Sequence, residues 1–108
     1  MKFIKPTYKV VNRDIKEILF VYDFHKYGDE FAHRFPVYKY ENKTLIWCSF
    51  IIYEDDMNTM HINVYDSNNN SCNYNKEEYG KSLVTEKINK RIQKELDWFA
   101  KEGFLIWK

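Results

Sequence analysis

Three runs rich in β-branched and aromatic residues, set in the middle of the chain with little between them, constrain this fold more than any other feature. "FPVYKYE" (35–41) and "TLIWCSFIIY" (44–53) flank the dipeptide Asn42-Lys43, and "MHINVYD" (60–66) follows the six residues "EDDMNT". Strands joined this closely must be antiparallel neighbours, because a parallel return needs a crossover of about a dozen residues or more. Pairing Glu41 with Thr44 and Tyr53 with Met60 puts Tyr38, Tyr40, Leu45, Trp47, Ile51, Tyr53, Met60, Ile62 and Val64 on one face, the predicted core. Val37, Lys39, Ile46, Cys48, Phe50, Ile52, His61, Asn63 and Tyr65 fall on the other. A slip of one residue would exchange the faces of the last strand.

Beyond these runs the period lengthens. Val84, Ile88, Ile92, Leu96 and Phe99 recur every three or four residues, Ser82 or Thr85 can cap the start, and Gly103 suits a left-handed stop that brings Phe104 to Phe99. The following "FLIWK" is apolar enough to pack back on the core or to add a short edge strand. Near the other end, "DIKEILFVYDFHKYG" (14–28) offers Asp14 and Glu17 as a capping pair and Gly28 as a stop, so a helix is predicted, although its Ile, Phe, Val and Tyr would also suit a buried strand. The expected architecture is α+β: an antiparallel meander of three to four strands packed with a long C-terminal helix and an N-terminal helix. With 108 residues, one domain spanning 1–108 is expected.

Composition narrows the class. No run is long enough to span a bilayer, and Lys2, Lys5, Pro6 and Lys9 break the apolar residues of the first segment, so neither membrane insertion nor a signal peptide is expected and the cytoplasm is the expected location. Two cysteines, Cys48 and Cys72, then read as free thiols. A net charge of +1 argues against a strongly basic nucleic-acid clamp.

Motifs for chemistry are weak. "DSNNNSCNYNKE" (66–77) is similar to an EF-hand loop through Asp66, Asn68, Asn70 and Glu77, but Ser71 stands where the sharp turn needs glycine and Asn73 where an apolar residue belongs, so a plain loop is the better reading. His25, His33 and His61 do not cluster at metal-ligand spacing, and no cofactor or metal is expected. His61 with Asn63, Tyr65 and Cys48 could form a small acid/base cleft, yet a half-buried histidine and an inert thiol are the simpler account.

Surfaces say more. Residues 54–79 hold Glu54, Asp55, Asp56, Asp66, Glu77 and Glu78 against Lys76, a net of five negative charges. Twenty Phe, Tyr and Trp residues exceed what a small core encloses, which should leave tyrosines such as Tyr27, Tyr74 and Tyr79 outside, where they favour contact patches. Glu54, Asp55, Asp56, Asp66, Tyr74, Glu77, Glu78 and Tyr79 are therefore the candidate partner-binding residues. On the long helix, Lys87, Lys90, Arg91, Lys94, Trp98 and Lys101 form an alternative nucleic-acid-binding surface, against the plainer reading of a solvated helix face.

Lys outnumbers Arg by 14 to 3, and Asn, Ile, Tyr and Phe are abundant, residues that share AT-rich codons. In this composition and in its small size, though in no motif, the chain resembles accessory proteins of phages and mobile elements of low-GC bacteria, a population that includes anti-CRISPR inhibitors. The resemblance implies a non-enzymatic inhibitor of a host defence nuclease, which would occupy the surface of that protein partner, a nucleic-acid-binding effector, through its acidic loops and exposed tyrosines.

Overall fold

The computed structural model describes residues 7–68 and 83–106, with side chains of the last helix described from Glu86 onward. Its elements are β1 (Thr7–Val10), α1 (Ile15–Phe20), β2 (His25–Tyr27), β3 (Glu30–Tyr40), β4 (Lys43–Tyr53), β5 (Asp56–Asp66), α2 (Leu83–Lys101) and β6 (Leu105–Ile106). The strands form one six-stranded antiparallel sheet in the order β2-β3-β4-β5-β1-β6. The meander and the long helix are as expected, but the sheet is wider than three to four strands.

The first hairpin turns one residue earlier than Asn42-Lys43. Tyr40 pairs with Lys43, and Glu41 and Asn42 both take positive φ, 48° and 67°. Two left-handed central residues match the right-handed twist of the flanking strands. The expected six-residue connection shrinks to Glu54-Asp55, because β5 already begins at Asp56. Ile52 then faces Met60 and Cys48 faces Val64, one residue off the expected Tyr53–Met60 register.

That shift exchanges the faces of β4. Cys48, Phe50 and Ile52 are fully buried together with Met60 and Val64, whereas Leu45 and Tyr53 are exposed and Trp47 and Ile51 half-buried on the far side. Both faces of the 44–53 run are apolar, so hydrophobicity alone could not choose between them. Val37, predicted outside, is buried as well, and Tyr40, predicted inside, is exposed.

The predicted 14–28 helix is cut short. Asp14 caps it, its Oδ1 accepting from the Lys16 amide at 2.9 Å and the Glu17 amide at 3.5 Å, but the helix ends at Phe20. Asp23, at φ 58°, turns the chain, and His25–Tyr27 form a strand closed by Gly28 at φ 60° in a turn rather than at a helix end. β-branched and aromatic residues tipped this segment to the sheet. α2 behaves as its spacing predicts, burying Ile88, Ile92, Leu96 and Phe99. It closes with a Schellman arrangement: the Phe104 amide donates to the Phe99 carbonyl at 2.9 Å and the Gly103 amide to Ala100 at 3.1 Å, with Gly103 at φ 78°.

Both helices cover the same sheet face. Ile18 and Tyr22 join Ile92, Leu96, Phe99 and Phe104 against Phe31, Phe35, Phe50 and Ile52. No helix is long and apolar enough to cross a membrane among the described residues.

Candidate functional site

The other sheet face is left open by the described elements, and the register orders it into rows. Tyr27, Glu30, Tyr53 and Asp56 lie side by side across four strands. Next come His25, Ala32, Ile51, His61 and Thr7, then Arg34, Ser49 and Asn63, then Pro36, Trp47 and Tyr65. At its centre the Arg34 guanidinium lies 4.0 Å over the Trp47 ring and 5.5 Å from that of Tyr65, while the Ser49 and Tyr65 hydroxyls are 3.0 Å apart. Tyr53 meets His61 edge-on at 5.3 Å.

One end of this face is an acidic tip. The Glu54 amide donates to the Asp29 carbonyl at 2.8 Å, and Lys26 Nζ lies 3.6 Å from Glu54, which hold the β2–β3 and β4–β5 turns together. Asp29, Glu30, Glu54, Asp55 and Asp56 converge there with the exposed Tyr27 and Tyr53, and Lys26 is the cation that the described contacts place among them. Sequence reasoning found Glu54, Asp55 and Asp56. It missed Asp29 and Glu30, which only strand pairing brings alongside. Asp56 also shapes the strand start, its Oδ1 accepting from the Asn58 amide at 3.2 Å. Asp66 sits at the far end of β5, about 33 Å along the strand, so the structure separates it from this cluster. Tyr74, Glu77, Glu78 and Tyr79, the EF-hand-like loop beyond Asn68, and Cys72 lie outside the described residues.

On α2, Lys87, Lys90, Lys94 and Lys101 are exposed, and Trp98 is 43% exposed with its ring edge-on to Tyr22 at 5.8 Å and Phe99 at 4.9 Å. Lys90 reaches Glu86 at 3.9 Å. Arg91 leaves the row: its Nη1 donates to Glu95 at 2.7 Å and its guanidinium packs 4.8 Å from the Phe35 ring. Glu95 in turn meets His33 Nε2 at 2.9 Å, and His33 Nδ1 faces the Asp23 carbonyl at 3.1 Å. His33 faces an acceptor on each nitrogen and is ringed by Phe24, Phe35, Phe50 and Phe99. Through these two contacts it joins the Asp23 corner, β3 and α2. The His33 hydrogen bond, aided by Arg91, holds the Glu95 carboxyl below its ordinary range despite partial burial. This link is a structural clasp that sequence reading did not anticipate.

The His61–Cys48 cleft does not form. Cys48 points into the core on one side of the sheet and His61 sits in the open-face row with Ile51. Burial, reinforced by the Glu95 carboxylate, pushes the Cys48 thiol well up, which disfavours the thiolate a nucleophile needs. Among the described residues no three His, Cys, Asp or Glu side chains converge as a metal site.

No family model matches the chain, and no curated protein matches it in sequence. In three dimensions it is similar to the crystal structure of a DUF1831 family protein from Lactobacillus plantarum, with a TM-score of 0.67 over 94% of this chain and 88% of that one. The two share 12% sequence identity, so the likeness is one of fold.

Proposed function

We propose that this protein is a non-enzymatic interaction module that occupies a basic surface of a protein partner through its acidic, tyrosine-bearing tip. The observation that carries this reading is the row Tyr27, Glu30, Tyr53 and Asp56, flanked by the bonded turns at Asp29 and Glu54. Two hairpins fix Glu30, Asp56 and two tyrosines on paired strands, with Asp29, Glu54 and Asp55 in the turns, where together they present a steering field and contact area at little cost in side-chain entropy. A basic nucleic-acid channel of a host effector has the complementary chemistry, in keeping with the compositional resemblance to phage and mobile-element inhibitors.

The test is capture from nuclease-treated lysate of the source cell by the tagged protein and by its Asp29→Asn, Glu30→Gln, Glu54→Gln, Asp55→Asn variant. A protein retained by the natural chain and lost by the variant supports the reading. Equal capture by both, or capture that vanishes with nuclease, overturns it.

A second reading, nucleic-acid binding by α2, is favoured by the exposed stripe of Lys87, Lys90, Lys94 and Lys101, which runs about 21 Å along the helix. Its signature is affinity that falls steeply with salt.

A further inference from the structure

We infer that Arg34, seated on Trp47 at the centre of the open sheet face, anchors a carboxylate presented by a partner protein. The inference rests on this face being a contact surface, and it is independent of the acidic tip. Of the three arginines, Arg13 donates to Asn58 and Arg91 to Glu95, whereas Arg34 meets only the rings of Trp47 and Tyr65 among the described residues. Stacking uses the flat face of the guanidinium and leaves its N–H edge for a planar, two-oxygen acceptor. Because the ring already fixes the side chain, binding there forfeits little rotamer freedom.

The surroundings favour one carboxylate over a run of phosphates. Ser49, Asn63, Ala32, Pro36 and Ile51 around Arg34 are all uncharged, and the strand pairing puts the next carboxylate on this face at Glu30, about 13 Å along β3. A nucleic-acid strand would need further cations at phosphate spacing and would meet Glu30 and Asp56 as it continued toward the tip. A single cation joined to Trp and Tyr within a neutral ring has the composition of a protein–protein hot spot.

The experiment is a titration of the isotope-labelled protein, followed by NMR at the Trp47 indole N–H and the Ser49 and Asn63 amides. The probes are the blocked peptide Ala-Leu-Glu-Leu-Ala, its Gln counterpart and octathymidylate. The Glu peptide should shift these signals with millimolar affinity, and the Gln peptide should bind about tenfold more weakly. Arg34→Gln, checked by its spectrum to be folded, should lose the response, while neutralising Asp29, Glu30, Glu54 and Asp55 should leave it intact. That last arm separates this site from the tip, whose own failure would show only in the capture assay. Equal binding of the two peptides, an unchanged response in Arg34→Gln, no response to the Glu peptide, or a response confined to octathymidylate would each overturn the inference.

Discussion

Replacing Glu95 with Gln keeps the shape of the side chain and removes the charge that holds three elements together. In the native fold its carboxylate receives His33 at 2.9 Å on one oxygen and Arg91 at 2.7 Å on the other. A Gln amide has only one oxygen, so its NH2 group must confront either the His33 or the Arg91 nitrogen. The Arg91 side chain is 37% exposed and water can replace the lost acceptor, but that of His33 is 12% exposed, so the loss there is felt. One charge-assisted hydrogen bond in such a setting is worth about 2 kcal/mol, or about 10 °C in Tm for a domain of this size.

The pH dependence gives an independent check. The folded Glu95 carboxyl lies below its ordinary value of 4.5, so as pH falls the unfolded chain takes up the proton first. The Glu95 contribution is therefore whole above that value and is lost as pH falls through the folded one. Urea melts of both proteins from neutral to acid pH should show a gap near pH 7 that closes in acid. A gap below about 0.5 kcal/mol at neutral pH, or one that stays constant into acid, would refute the clasp.

Changing Glu54, Asp55 and Asp56 together to Ser or Asn should move stability by about 0.5 kcal/mol or less, since these carboxylates are exposed and the relief of their mutual repulsion offsets the loss of the exposed Lys26–Glu54 pair; a variant unfolded by circular dichroism would show that they are structural. The same variant should associate more slowly with its partner and with less salt sensitivity, measurable by stopped flow. If α2 binds nucleic acid, Lys87→Glu, Lys90→Glu and Lys94→Glu together should abolish retention on an oligonucleotide column at low salt, and no retention of the natural protein would remove that reading. Glu41→Asn should stabilise the fold by about 0.5–1 kcal/mol, because Glu41 stands at φ 48° and Asn tolerates that region better; a chemical melt decides.

What could be read in advance follows from how far each signal extends along the chain. α2 was legible because Ile88, Ile92, Leu96 and Phe99 repeat through a 19-residue helix, and its stop was legible because Gly103 leaves few alternatives. The hairpins were legible as elements, but their faces were not. A strand β5 that begins at Asp56 and sets Met60 opposite Ile52 instead of Tyr53 exchanges the faces of β4, and Trp47 and Ile51 look as suitable for a core as Cys48 and Phe50. β1 and β2, of four and three residues, are too short for a period to show. The Arg34 seat was hidden for a different reason: Arg34, Trp47 and Tyr65 come from three strands, and only the final register puts them in contact.

The place of β1 in the sheet has a consequence for the order of events during synthesis. β2 to β5 pair with their neighbours in sequence and can zip locally as they emerge. β1 instead bonds to β5 through Thr7 and His61 and to β6 through Lys9 and Ile106, so it must wait for two strands that are translated well after it. Once β5 has emerged, β1 can cover its outer edge, and the edge then left open to stray strands is that of β1 itself, until β6 follows with Ile106.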